Sequence, residues 1–123
     1  MSSVVERTDF VSVFTQDIAR AKEFYAGTLG LEIESEGESD LEFRCGQVTL
    51  DVFDPSSIGQ QFAPSPAGLA LRVHDVDAVR AELEAKGVEF DGETIDTSVC
   101  HMATFFDPDR NRLTLHKRYK PYE

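Results

Sequence analysis

The stretch that decides the fold is Phe105-Phe106-Asp107-Pro108-Asp109-Arg110-Asn111-Arg112-Leu113-Thr114-Leu115. Runs of strand character flank a central turn, because residues 102–106 are apolar apart from one threonine and residues 113–115 alternate. Pro108 fixes its own φ, and the short acidic side chains beside it can accept hydrogen bonds from nearby backbone amides. The stretch therefore predicts a β-hairpin with a tight, acid-rich loop.

Size and composition predict a single domain over residues 1–123 with an ordinary globular core. Hydrophobic residues make up 41% of the 123 residues and charged residues 28%. The net charge of −11 argues against nucleic acid and against anionic membranes as partners. The sequence shows no run long enough for a spanning helix and no signal peptide. Two cysteines, Cys45 and Cys100, form no disulfide framework, so we expect a cytoplasmic protein.

The first half alternates into a strand over residues 10–14 and then into a helix capped by Asp17. Gly27 and Gly30 are expected to end that helix. Its apolar stripe is Ile18, Ala21 and Tyr25. Three short strands are predicted next, at residues 31–34, 41–45 and 48–53.

The second half repeats this order after a Pro- and Ser-containing linker at 55–66. A strand at 69–73 precedes Asp75, which caps a helix with the stripe Val76, Val79 and Leu83. The glycine-led segment 87–90 corresponds to 30–33, and the last strands are predicted at 99–106 and 112–116. The fold class is therefore α+β, with two βαβββ modules at approximately 8–54 and 67–118. The alternative is two unrelated α+β halves that share common helix signals.

Three stretches make the sequence resemble the vicinal oxygen chelate superfamily, which includes glyoxalase I, extradiol dioxygenases, fosfomycin-resistance enzymes and bleomycin-binding proteins. They are residues 17–31, 73–88 and 105–115, and with the repeat they cover nearly the whole chain. Arg110 departs from the pattern, since a glycine is usual there. The resemblance implies curved mixed sheets around a cleft, and it implies pairing into a homodimer.

The resemblance also implies four strand positions at which metalloenzymes of the superfamily carry His, Glu or Gln ligands. These positions are Phe10, Asp51, Gly68 and Thr114 in this sequence. Phe10 and Gly68 offer no ligand atom, Thr114 is a poor ligand, and Asp51 alone is not a site. We therefore expect no metal and no cofactor.

Seven residues are predicted to line the cleft by strand alternation and by the resemblance: Phe10, Ser12, Asp51, Met102, Thr104, Thr114 and His116. Phe10 and Met102 offer apolar area, and the threonine and serine hydroxyls can orient a polar group. Asp51 contributes the charge of this lining, and its pairing with Arg72 or with a hydroxyl stays open. An unpaired carboxylate there favours a ligand with a neutral or positive polar end.

Other polar residues are interpreted as structural. His74 is expected in a solvated loop, and His101 is expected to point away from Cys100 because adjacent strand residues face opposite sides. The acids Glu34, Glu36, Glu38 and Asp40 are interpreted as solvated surface charge. The basic tail at 117–120 is interpreted as packing and solubility.

The function that fits these expectations is binding or sequestration of a small molecule. One alternative is a lyase, isomerase or dioxygenase with a non-standard site, although metal-dependent glyoxalase or dioxygenase activity is not expected. A second alternative is a non-catalytic interaction subunit. The fold alone selects none of them.

Overall fold

The computed structural model describes residues 3–122 of the chain, which fall into two compact units. The first unit ends at Ala63 and the second begins at Pro64. That residues 1–123 form a single domain stays a prediction. No helix among the described residues has the length and apolar character needed to cross a membrane.

The first unit is a four-stranded mixed sheet with one helical segment. Its strands are β1 (Phe10–Phe14), β2 (Glu32–Glu36), β3 (Asp40–Cys45) and β4 (Val48–Phe53). The strand order is β1-β4-β3-β2, with β1 parallel to β4 and the other pairs antiparallel. A 3-10 turn at Pro55–Ile58 follows, inside the segment predicted as a linker.

The helix of the first unit starts as α1 (Ile18–Lys22) and continues as a π-helical segment at Glu23–Thr28. Ala21 and Tyr25 of the predicted stripe are fully buried, whereas Ile18 is only half-buried. Gly27 lies inside the π-helical segment and does not end it, contrary to expectation. The chain leaves the helix near Gly30, whose φ of 75° lies in the left-handed region that glycine adopts without strain.

The second unit repeats the architecture of the first. Its elements are β5 (Leu69–Arg72), α2 (Val76–Ala85), β6 (Ile95–Asp96), β7 (Cys100–Phe106) and β8 (Arg112–Arg118). The sheet order is β5-β8-β7-β6, with β5 parallel to β8. Val76 and Leu83 of the predicted stripe are buried and Val79 is half-buried. The fold class α+β with two βαβββ modules is confirmed.

The βαβββ repeat implies a strand at 87–90 in the second unit, and this prediction is wrong. Residues 87–90 do not form a strand, and only Phe90 makes an isolated bridge, to Phe105. Backbone hydrogen bonds still connect this segment to β7, from Phe106 N to Glu89 O and from Asp91 N to Thr104 O. Gly92 then turns the chain with a φ of 78°, so the regular strand forms later as β6.

The two helices begin in the same way, which supports the repeat. Asp17 accepts a hydrogen bond from Arg20 N at 3.0 Å, and Asp75 accepts one from Ala78 N at 2.9 Å. Both aspartates have extended backbones directly before the first helical residue, as an N-cap requires. The sequence located both helix starts correctly.

The acid-rich turn joins β7 to β8 as the sequence predicts. The buried Asp107 carboxylate accepts hydrogen bonds from Asp109 N, Asn111 N and Asn111 Nδ2, at 2.9, 2.9 and 2.8 Å. Arg110 has a φ of 70°, in the left-handed region. This backbone conformation gives the physical reason why glycine suits that position.

Candidate functional site

The face of the first sheet away from the buried core carries Phe10, Ser12 and Asp51. Strand alternation buries Val13, Leu50 and Val52 on the opposite face. The parallel register pairs Ser12 with Asp51, and Ser12 Oγ donates a 3.0 Å hydrogen bond to Asp51 Oδ2. Asp51 therefore has a hydroxyl partner, one of the two pairings that the sequence left open.

Asp51 does not lie alone on this face. Asp40, Glu42 and Asp51 are half-buried, and each offers a carboxylate oxygen within 4.8 Å of the others. Burial is the largest effect on the pKa of Asp51 and raises it. The hydrogen bond from Ser12 opposes that rise in pKa, whereas the Asp40 charge adds to it.

The sequence interpretation missed this carboxylate cluster, although a signal for it was present. The two residues Gly46 and Gln47 connect β3 to β4. Such a short hairpin connection pairs Cys45 with Val48, and counting back from there pairs Glu42 with Asp51. The cluster offers carboxylate oxygens, the hard ligands that calcium, magnesium and manganese prefer. Among residues 3–122, these three carboxylates are the group that could hold such an ion.

The other acids interpreted as solvated have different environments. Glu34 accepts a hydrogen bond from Thr49 Oγ1 at 3.0 Å. Glu36 forms a 2.8 Å ion pair with Lys22, and Glu38 is exposed. Glu34, Glu36 and Glu38 are all exposed, as the interpretation expects. The interpretation is wrong for Asp40, which is half-buried in the carboxylate cluster.

Four of the predicted cleft residues lie together on the second sheet. The antiparallel register of β7 and β8 pairs Met102 with His116 and Thr104 with Thr114. Directly paired residues share a face, and the two threonine hydroxyl oxygens are 3.4 Å apart. Thr114 is buried, while the other three are half-buried. The structure thus brings together Phe10, Ser12 and Asp51 in one unit and these four residues in the other; that all seven line one cleft stays a prediction.

The four positions that the resemblance implied occupy equivalent places in the two sheets. Ser12 pairs with Asp51, and Ala70 pairs with Thr114 in the same parallel arrangement. Gly68 precedes Ala70 by the same two residues as Phe10 precedes Ser12. A Cβ on Gly68 would lie 3.2 Å from Thr114 Oγ1, so these two positions adjoin.

His74, His101 and Cys100 lie outside this set of candidate residues. His74 is exposed, as expected for a loop histidine. His101 Nε2 lies 3.4 Å from Asp96 Oδ2, and its ring is 5.0 Å from that of Tyr119. Cys100 is buried with its Sγ 3.1 Å from Thr97 Oγ1. Cys100 and His101 therefore have separate partners and do not form a thiolate–imidazole pair.

Comparison with known proteins shows which family this chain resembles. A sequence model described as the Glyoxalase/Bleomycin resistance protein/Dioxygenase superfamily matches residues 7–115. The uncharacterized protein YaeR of Escherichia coli (strain K12) is 28% identical over 127 residues, covering 93% of this chain and 98% of YaeR.

Two solved structures from Streptomyces sp. CB03234 are also similar. One is TnmS3, an antibiotic binding protein, with a TM-score of 0.77 and 28% identity over 95% of this chain and 99% of TnmS3. The other is a glyoxalase/bleomycin resistance protein, with a TM-score of 0.73 and 30% identity over 90% of this chain and 100% of that chain.

Proposed function

The chain belongs to the glyoxalase/bleomycin resistance protein/dioxygenase superfamily, and we propose that within it this protein binds or sequesters a small organic molecule. The observation that carries the proposal is the face formed by Phe10 and the Ser12–Asp51 hydrogen-bonded pair. Phe10 is 60% exposed, so its ring is open to a ligand. An exposed ring beside a polar pair supplies both apolar area and an orienting group.

The donor set at the four superfamily metal positions supports binding without a metal there. Phe10 has no ligand atom, and neither has Gly68, where a side chain would crowd Thr114. Asp51 and the Thr114 hydroxyl are too few for the three or four ligands that a divalent ion needs. We therefore expect no metal-dependent glyoxalase or dioxygenase activity from these positions.

The electrostatics of the first sheet favour a ligand with a neutral or positive polar end. The carboxylates of Asp40, Glu42 and Asp51 repel one another, and burial adds a cost for the Asp51 charge. A ligand cation would relieve both costs. The net charge of −11 adds a weaker long-range preference for cations.

The relatives support small-molecule binding as the class of function, and they do not identify the ligand. TnmS3, which is described as an antibiotic binding protein, shares the fold and 28% of its residues with this chain. An enzyme that uses the Asp40–Glu42–Asp51 carboxylates and an interaction subunit are the competing proposals.

Calorimetry with a small aromatic cation tests the proposal directly. We expect 2-phenylethylamine to bind more tightly than 2-phenylethanol, which has the same body and carries no charge. Asp51→Asn should weaken binding of the amine by about tenfold, because the ammonium group loses its negatively charged partner. Glu38→Gln removes one negative charge at an exposed position and serves as the matched control.

Native mass spectrometry and elemental analysis of the purified protein distinguish the alternatives. We expect well under one equivalent of zinc, nickel, iron or manganese, and we propose a homodimer. Stoichiometric metal that survives dialysis would favour the enzyme, and unchanged amine affinity in Asp51→Asn would refute the role of Asp51. We propose the cytoplasm as the compartment, since Cys45 and Cys100 are both free.

A further inference from the structure

The second unit contains an open cavity of about 510 Å³ at the end of β8. Arg72, His116 and Arg118 contribute to it from the strands, and Tyr119, Lys120 and Tyr122 contribute from the tail that follows. We propose that this cavity binds a small organic anion, an aromatic acid with a carboxylate or phosphate group. Its size lies within the range of small-molecule sites.

The charge of the lining contrasts with the charge of the whole chain. The sequence has 23 acidic and 12 basic residues. Among the described residues 3–122, however, the cavity is lined by Arg72, Arg118 and Lys120 and by no acid. Most other basic residues lie near carboxylates, as Arg80 does with Glu84 and Arg112 with Asp91. Within residues 3–122, none of the three cavity cations forms an ion pair. Clustered cations without counter-charges favour an anion.

The strands hold the cationic groups on one face. The parallel register pairs Arg72 with His116, and Arg118 follows His116 by two residues and so shares its face. The Arg118 guanidinium carbon lies 3.9 Å from the centre of the Tyr122 ring, a cation–π contact that holds the tail against the strand end. The cationic groups therefore converge on one side of the sheet.

Arg118 also has an unused hydrogen-bond donor. Its Nε is buried and has no acceptor among the described residues. A buried donor without a partner costs free energy that an acceptor oxygen would recover. A carboxylate or phosphate oxygen supplies that acceptor together with the negative charge, and guanidinium groups match both anions geometrically.

The aromatic residues favour a flat body on the ligand. Tyr122 is 84% exposed although Arg118 covers one side of its ring, so ring area remains available for stacking. The Tyr119 hydroxyl donates to Asp96 Oδ1 at 2.7 Å, and His101 also contacts Asp96. The Asp96 carboxylate is therefore paired with Tyr119 and His101 and does not neutralise the cations of the cavity.

This inference goes beyond the proposed function. It concerns an anion in the second unit, whereas the proposed function places a neutral or cationic group beside Asp51 in the first. Only His116 belongs to both sets of candidate residues. Failure of 2-phenylethylamine to bind would count against the proposed function and would leave the anion cavity standing.

The test is a titration of the ¹⁵N-labelled protein with phenyl phosphate, followed by amide chemical shifts. We expect saturable shifts at residues 72, 116, 118–120 and 122, with a dissociation constant on the order of 1 mM or tighter. A parallel titration with benzoate tests whether a carboxylate group binds in the same cavity. Benzyl alcohol, which is uncharged, should bind at least about tenfold more weakly, because it brings no negative charge to pair with the cations of the cavity.

Arg118→Gln is the decisive variant, and Lys117→Gln is its matched control. Lys117 is adjacent in β8 and pairs with His101, so it projects from the other face. Arg118→Gln should weaken phenyl phosphate binding by about tenfold or more, and Lys117→Gln by less than about twofold. If Arg118→Gln does not fold, Arg72→Gln replaces it, because Arg72 is exposed.

Each result decides the proposal. Binding of phenyl phosphate or benzoate with loss in Arg118→Gln supports it, and the tighter of the two anions identifies the preferred group. Absence of saturable shifts with both anions overturns it. Equal loss in the Arg118 and Lys117 variants also overturns it, because the effect would then be non-specific charge attraction.

Discussion

Ser12 Oγ lies 3.0 Å from Asp51 Oδ2 and donates the hydrogen bond that links β1 to β4 through side chains. This bond lowers the pKa of Asp51, but burial and the Asp40 charge raise the pKa and outweigh it. The folded protein therefore holds the Asp51 proton more tightly than the unfolded chain does. Stability consequently falls as the pH rises from the ordinary aspartate pKa through the raised folded pKa.

Asp51→Asn should remove this pH dependence. We expect the variant to be more stable than the wild type at neutral pH, because the amide cannot ionise and its oxygen still accepts from Ser12. The difference should vanish below the ordinary aspartate pKa. Urea unfolding between about pH 3 and about pH 7 measures it, with Glu38→Gln as an exposed control. A variant less stable than the wild type at neutral pH would show that the Asp51 carboxylate stabilises the fold.

Asp107→Asn should destabilise the β7–β8 turn. The substitution replaces one carboxylate oxygen with an NH₂ group, which cannot accept the 2.8 Å bond from Asn111 Nδ2. Because Asp107 is only 3% exposed, we expect a loss of about 2 kcal/mol in the free energy of unfolding. Chemical denaturation provides the measurement. Glu93→Gln, at an exposed position, should change stability by less than about 0.5 kcal/mol, and a similar effect at both positions would argue against the turn network.

Arg110 allows the strain of a left-handed residue to be measured. Arg110→Gly and Arg110→Ala both remove the ion pair with Glu89 and the contact with the Phe106 ring. Only glycine also relieves the φ of 70°, so we expect the glycine variant to be more stable than the alanine variant by about 1 kcal/mol. At the exposed helical position Glu82 the order should reverse, with alanine more stable by about 1 kcal/mol. Thermal unfolding of the four variants tests this, and alanine matching glycine at position 110 would contradict it.

Removing the N-cap of either helix should destabilise the protein by a similar amount. We expect Asp17→Ala and Asp75→Ala each to lower the free energy of unfolding by about 1 kcal/mol, since each carboxylate accepts one bond from a first-turn amide. Asp75→Ser should retain most of the stability, because a serine hydroxyl also caps. Circular dichroism during urea titration follows the loss. If either alanine variant has the same free energy of unfolding as the wild type, tertiary packing alone determines where that helix begins.

The helix caps, the acid-rich turn and the alternating strands could be predicted from the sequence, because each depends on residues that are neighbours along the chain. Asp17 and Asp75 were identified as caps, and Asp107-Pro108-Asp109 as a turn, since each acts on amides a few residues away. Strand β4 lies at Val48–Phe53, as the alternation predicted. The superfamily resemblance rested on the same local motifs and is confirmed over residues 7–115.

Longer-range pairing was decided only by the tertiary structure. Residues 87–90 have strand character, but a strand needs regular hydrogen bonds to a neighbour, and here only Phe90 forms a bridge. The Ser12–Asp51 hydrogen bond depends on the parallel register of β1 and β4. The basic cavity depends on the tail meeting the ends of β5 and β8. In each case the deciding contacts join residues distant in sequence, so their energies do not appear in local periodicity.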